Sequence, residues 1–384
     1  MKRVYLDYSA TTPMDPRVLE TMQPHFLENY GNASSVHDAG RRARAVLEES
    51  RETVAAMLGT SQDTLFFTSG GTESDNTAVF GVARALKPKG RDHIAVSAVE
   101  HHAVLHSALA LREQGWRVDT INVDETGMVD LGHLEKLVDE RTALVSVMHA
   151  NNEVGTVQPV PEVSEIAHRK GAFVHSDAVQ SFGKIPVNVE DLGVDLLSVS
   201  AHKLYGPKGI GALYIRKGVP VSPIMIGGGQ EQNRRAGTEN VPLAAGFARA
   251  LEIAQVSMTS DADRLKALKA ELRTKLENSF PGIVFNGHTA KSLPGILNIS
   301  FASSTGVDGE ALIIGMDLNG VAVTSGSACT SGTLEPSHVL RAMGRNEATA
   351  RATIRFSLGR PTTSEELDFA VAMLSRVLGK MGVQ

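Results

Sequence analysis

The stretch Val194-Asp-Leu-Leu-Ser-Val-Ser-Ala-His-Lys-Leu-Tyr-Gly-Pro-Lys-Gly-Ile-Gly-Ala-Leu-Tyr-Ile-Arg216 decides the fold. Two apolar runs flank a polar, glycine-rich turn. Leu196 to Val199 predicts a buried strand, since a short apolar run bounded by turn signals is too brief for a helix. Ala212 to Ile215 predicts its partner, and Gly206-Pro207 with Gly209 and Gly211 make the bend. Ser200, His202 and Lys203 stand at the mouth of that bend. A lysine in a partly desolvated pocket loses proton affinity and becomes an amine suited to a Schiff base with an aldehyde. An ordinary surface lysine keeps its ammonium in water, so the reading depends on what else the fold brings to that strand end.

Three other stretches supply company. Ala172-Phe-Val-His-Ser-Asp177 is an apolar run ending in a carboxylate. At the end of a buried strand that charge needs a partner; a pyridinium nitrogen would serve, and so would a helix N-cap role. Leu65-Phe-Phe-Thr-Ser-Gly-Gly-Thr-Glu-Ser-Asp-Asn76 runs from strand through Gly70-Gly71 into a helix. Such a turn offers free backbone N–H groups to a phosphate. Ile94-Ala-Val-Ser-Ala-Val-Glu-His101 ends a strand with a flat, protonatable ring. A phosphate cradle, a ring, a carboxylate and a lysine at strand ends fit the rule that open α/β sheets bind ligands there. The set suits pyridoxal 5'-phosphate.

With these residues in place the chain resembles the cysteine desulfurases of the NifS/IscS type, fold type I pyridoxal-phosphate enzymes of the class V aminotransferase family. The resemblance runs from Tyr5-Leu-Asp-Tyr-Ser-Ala-Thr-Thr-Pro13 to Thr353-Ile-Arg-Phe-Ser-Leu-Gly-Arg360. It implies an α/β fold with a large, mainly parallel sheet domain, helices on both faces, and a smaller α+β C-terminal domain. Strand and helix patterns alternate to about residue 215, as a parallel sheet with helical crossovers requires. We expect residues 15–258 to form the large domain, and 1–14 with 259–384 the small one.

The resemblance also implies roles. Lys203 holds the cofactor and moves the substrate Cα proton, while Asp177 keeps the ring nitrogen protonated. Gln180 faces the ring hydroxyl. Ser200, His202, Thr72 and the Gly71 backbone hold the phosphate. His101 stacks on the ring and moves protons at the substrate sulfur. Asn152 lies near the ring hydroxyl and the substrate carboxylate, and its neighbour Asn151 reads as a turn residue. Arg355 offers a guanidinium fork to the carboxylate of an amino-acid substrate. Thr238, in the polar loop Gly227 to Asn240, reaches the phosphate of the neighbouring subunit, which implies a homodimer.

The single cysteine, Cys329, excludes an internal disulfide. It sits in Thr324-Ser-Gly-Ser-Ala-Cys-Thr-Ser-Gly-Thr-Leu-Glu-Pro336, where small hydroxyl residues and glycines replace any apolar periodicity. That is the setting of a reactive thiol rather than a packed one. Its match to the family motif implies a persulfide-forming nucleophile, with L-cysteine as substrate and a scaffold protein of iron–sulfur assembly as sulfur acceptor. An aminotransferase or selenocysteine lyase of the same fold would share Lys203 and Asp177 without needing this thiol. A non-catalytic sulfur-trafficking protein would not need the three together.

Other classes are disfavoured. A net charge of −5 argues against nucleic-acid binding. No apolar run is long enough to span a bilayer, and the first residues lack a secretory h-region, so a cytoplasmic protein is expected. His102 and His106 are four apart on a predicted helix, a possible metal pair, but the sequence offers no third ligand and no metal is expected. After Asp368 the chain has one more helix, whereas housekeeping members of the family extend further to dock the scaffold. The docking surface is therefore expected to differ, and the segments at Arg234 to Asn240 and Ser331 to His338 look closer to the nitrogen-fixation branch.

Overall fold

A computed structural model describes residues 2–326 and 336–382. Seven strands form the main sheet, in the order Leu65–Thr68, Gly211–Ile215, Leu196–Ser200, Phe173–Asp177, Thr142–Ser146, His93–Ser97, Arg117–Ile121. Gly211–Ile215 runs antiparallel to both neighbours, and the other adjacent pairs are parallel. The opening stretch thus folds as expected, as an antiparallel pair with Ser200 opposite Gly211.

Successive residues of a strand face opposite sides of a sheet. Leu197 and Val199 accordingly enter one apolar core and Leu196 the other. The helices Gly71–Leu86 and His102–Arg112 cover one face through Val79, Val82, Val104 and Leu111. Asp38–Met57, Val160–Arg169 and the first half of Val241–Ser279 cover the other, through Leu47, Val163 and Phe247. Both faces are dry, as a parallel sheet requires.

A second apolar core surrounds the three-stranded sheet ordered Thr353–Ser357, Ile296–Ser300, Val284–Asn286. The helix Val241–Ser279 runs unbroken for 39 residues, about 58 Å of rise. Its Ala244, Phe247 and Leu251 belong to the first core and its Leu272 and Leu276 to the second. The N-terminal segment also joins the second core: Val4 and Leu6 are buried in it, and Asp7 forms a parallel bridge with Ser357. Among the described residues, no helix is long and apolar enough to cross a membrane.

Candidate active site

The parallel strands end along one edge, and their polar termini line a cavity of about 410 Å³. Ser200 closes its strand, and a single 3₁₀ turn, Ala201–Lys203, swings the lysine into the cavity wall. The Lys203 Nζ donates to the Ser9 carbonyl at 2.6 Å and the Ala10 carbonyl at 2.8 Å. Burial and the Arg355 charge lower its pKa to about 8, with Asp177 and Asp7 pulling the other way. An appreciable share of this amine is neutral near physiological pH.

Asp177 ends its strand at the cavity floor and accepts the Val179 N–H at 2.8 Å. Burial raises its pKa to about 6. Behind it, Asp75 of the Gly71–Leu86 helix is fully buried, and its Oδ1 has no hydrogen-bond partner among the described residues. Burial first and the Asp177 charge second push Asp75 well above the usual carboxylate range, toward its protonated form. His175 stands 3.6 Å from Asp75, its ring tied between Ser146 at 2.8 Å and Ser198 at 2.9 Å. Burial holds His175 neutral, with a pKa near 3. Two carboxylates this close need a positive partner before both ionise.

His101 caps the next helix through its own ring, since Nδ1 accepts the Ala103 N–H at 3.2 Å. That bond leaves the proton of the neutral ring on Nε2. Burial and the Lys203 charge lower its pKa to about 4. Asp75, His101 and Asp177 each offer a ligand atom, all within 4.8 Å of one another.

The opposite end of the cavity is built for an anion. Gly70 has φ 153 and ψ 179, a conformation open essentially to glycine, and it leads into the helix with no side-chain cap. The first N–H groups of that helix are therefore available. A Cβ on Gly71 would stand 2.8 Å from Val179 Cγ2, so the backbone can pass close to the strand ends only as glycine. Thr72, Ser200 and His202 line the same end, with His202 Nδ1 3.1 Å from Thr11 Oγ1.

Arg355 lies in the middle of its strand and is nearly fully buried. Its Nη2 donates to Asp7 at 2.7 Å and its Nη1 to the Asn152 carbonyl at 2.8 Å, while Nε has no partner among the described residues. Asn151 makes the turn, accepting the Glu153 and Val154 N–H groups at 2.8 and 2.9 Å. That leaves Asn152 on the cavity wall. Gln180 donates to the Ser9 carbonyl at 2.8 Å and accepts from Lys184 at 3.2 Å. Lys184 faces a smaller neighbouring cavity, and burial and the Lys203 charge lower its pKa to about 7.

The structure thus brings together Lys203, Asp177, His101, Gln180, Asn152, Gly71, Thr72, Ser200, His202 and Arg355. It does not bring Thr238 to them: that residue is exposed beside Arg235 and lines a separate cavity of about 240 Å³. Cys329 and most of its 324–336 stretch lie outside the described residues, though Thr324 and Gly326 line the cavity. Sequence reasoning missed Asp7, Ser9, Asp75 and Lys184. The Asp-Tyr-Ser-Ala run at residues 7–10 was the available signal for the first two, a polar run after the short strand Val4–Tyr5. His102 is half-buried and His106 exposed, and His102 Nδ1 stands 3.1 Å from His106 Nε2.

Pyridoxal phosphate fits these residues. A protonated ring nitrogen would relieve the buried Asp177, the uncapped helix and its glycines would take a phosphate, and Lys203 supplies the amine. The sequence pattern described as Aminotransferase class-V matches residues 4–369. A cysteine desulfurase IscS of Dictyoglomus turgidum is 48% identical over 382 residues, covering 99% of this chain and 96% of that protein. A solved NifS-like protein superposes with a TM-score of 0.91 at 42% identity, over 98% of this chain and 100% of the other. A NifS-like protein from Rickettsia africae gives a TM-score of 0.87 at 32% identity, covering 98% and 99% of the two chains. The fold, the strand-end cavity and these likenesses agree: the chain belongs to the class V aminotransferases, among the pyridoxal-phosphate-dependent cysteine desulfurases of the NifS/IscS type.

Proposed function

We infer that the chain converts L-cysteine to L-alanine and passes the sulfur on as a persulfide for iron–sulfur cluster assembly. The observation that carries this reading is the convergence of Lys203, Asp177, His101 and Arg355 on one cavity whose wall runs through Gly326, three residues before the only cysteine.

Pyridoxal phosphate bound here supplies an electron sink for the substrate α-carbon. Lys203, held by two carbonyls and with lowered proton affinity, provides the amine that secures the cofactor and then carries the Cα proton. Asp177 would hold the ring nitrogen, and Asp75 behind it, pushed toward its protonated form by burial and the Asp177 charge, would leave the negative charge on Asp177. His101, neutral with its proton on Nε2, would stack on the ring and move protons at the substrate sulfur. Arg355 takes the substrate carboxylate, with the Asn152 side chain beside it. Gln180 would meet the ring hydroxyl with an amide already oriented by Ser9 and Lys184. The Cys329 thiolate attacks the substrate sulfur; the carbon–sulfur bond breaks with its electron pair staying on the substrate β-carbon, which is protonated to give alanine, and the enzyme keeps the sulfur as a persulfide.

Thr238 is exposed and lies apart from this chain's own cavity. That supports its place at the phosphate of a second copy and hence a homodimer with shared sites. The sulfur acceptor is a scaffold protein of iron–sulfur assembly, and the chain works in the cytoplasm. The two-lobed arrangement, with residues 15–258 as the large domain and 1–14 with 259–384 as the small one, fits the two apolar cores. Alanine and sulfide release from L-cysteine tests the activity. Pyruvate formation or amino-group transfer without sulfide would replace it with another reaction of the same fold.

A further inference from the structure

We propose that His102, His106 and His338 form a binding site for a borderline divalent cation, zinc being the type, beside the active cavity. His102 and His106 lie one turn apart on the helix His102–Arg112, the i, i+4 spacing that lets two imidazoles share an ion. His102 Nδ1 and His106 Nε2 stand 3.1 Å apart. Two nitrogens each 2.0–2.1 Å from zinc are separated by about 2.8–3.4 Å at octahedral to tetrahedral angles. The pair is thus already at chelating distance, and an ion would replace the hydrogen bond now joining the rings.

The third ligand comes from a distant part of the chain. His338 opens the helix His338–Ala342, and its ring centroid lies 4.6 Å from that of His102, about as close as His106 at 4.7 Å. Its Nε2 is 2.9 Å from the Glu100 carbonyl. A carbonyl only accepts, so Nε2 carries the proton and Nδ1 keeps its lone pair. Metal-ligating histidines almost always carry this outer bond to a carbonyl or carboxylate. Among the described residues only Asp75, His101 and Asp177 have ligand atoms all within 4.8 Å of one another, and they belong to the cofactor cavity. The histidine trio therefore does not yet place three ligand atoms within 4.8 Å of one another, and binding requires ring rotation to bring them together. Imidazole donors select zinc, copper or nickel over magnesium or calcium. The bound ion would tie together two helices, one following His101 and the other following the Cys329 stretch in sequence.

The test is calorimetric titration of zinc chloride into cofactor-loaded protein carrying Cys329→Ser, so that neither the thiol nor the empty cofactor cavity contributes. The expected result is one saturable site per chain. It should be lost in His106→Ala and weakened at least about tenfold in His338→Ala. His106 is exposed, so unchanged cofactor absorbance and melting temperature in His106→Ala certify the fold. Absence of saturable binding in the parent overturns the proposal, as does unchanged affinity in either histidine variant.

Discussion

Arg355 donates a 2.7 Å hydrogen bond to Asp7 across 348 residues of sequence, tying the segment that follows the strand Val4–Tyr5 to the strand Thr353–Ser357 beside the active cavity. With the Asn152 carbonyl on Nη1, two arms of the guanidinium are held in a fixed orientation. A carboxylate entering this cavity meets an arginine whose position is set before it arrives.

Arg355→Lys keeps the charge but loses the fork. Charge-assisted hydrogen bonds contribute about 1.5–3 kcal/mol, so the KM for L-cysteine should rise roughly 10- to 150-fold. The cofactor absorbance should persist. An unchanged KM would mean that the substrate carboxylate binds elsewhere.

Lys203 should control the pH dependence of cofactor loading. With its pKa lowered to about 8, the amine is mostly protonated below that pH and mostly neutral above it. Reloading of cofactor-free protein should speed up with pH and level off above about 8. The Arg355 charge is a depressing influence second only to burial. In Arg355→Met the midpoint should therefore move to higher pH. Stopped-flow absorbance across a pH series reads both midpoints, and a downward shift in the variant would contradict the assignment.

Cys329→Ser should still bind cofactor and respond spectrally to L-cysteine, but form no persulfide and release almost no sulfide. A hydroxyl is a far weaker nucleophile than a thiol at neutral pH, and no second cysteine exists to substitute. Mass spectrometry of the wild type after L-cysteine should show one reductant-labile sulfur on the Cys329 peptide. Near-normal sulfide release by the variant would remove the thiol from the mechanism.

The loop that carries Thr238 rests on a buried ion pair. Arg51 holds Glu231 through two bonds, at 2.6 and 3.0 Å, and Glu231 also accepts the Phe67 N–H at 2.9 Å. Glu231, Gln232 and Asn233 all have positive φ, so this anchoring offsets backbone strain. Glu231→Gln leaves the buried Arg51 charge with only the part-exposed Glu48, 3.1 Å from its Nε, as an ion-pair partner, and should cost up to about 3–5 kcal/mol. Replacing both residues with apolar ones of similar volume should recover part of that loss. Denaturant titrations measure both. If the loop closes the neighbouring subunit's site, light scattering should also show a weakened dimer in the single variant.

The strand-end residues could be read from sequence because each follows a short apolar run that has one plausible fate, a buried strand. Lys203, Asp177 and His101 inherit their positions from that rule, as does the glycine turn at Gly70. Asp7, Ser9 and the Ala10 carbonyl could not be read this way. Their place depends on the bridge to Ser357 and on contacts to Lys203, pairings between distant positions that no local pattern encodes. Asp75 looked like one polar residue among several on a helix, and only its facing toward Asp177 makes it unusual. His338 escaped for the same reason as Asp7, since its relation to His102 is set by packing and not by spacing.

The clamp on Lys203 also sets an order of events during synthesis. Its two carbonyls belong to a segment whose seat is Ser357, which accepts the Ser9 N–H at 2.9 Å and bridges Asp7. A growing chain that has just produced Lys203 therefore lacks the strand that seats the clamp. At typical rates of elongation the wait is roughly ten to thirty seconds. Throughout it, the sheet can assemble while the amine is without its finished pocket. Cofactor capture should therefore be a late event, waiting on synthesis of the strand that carries Ser357.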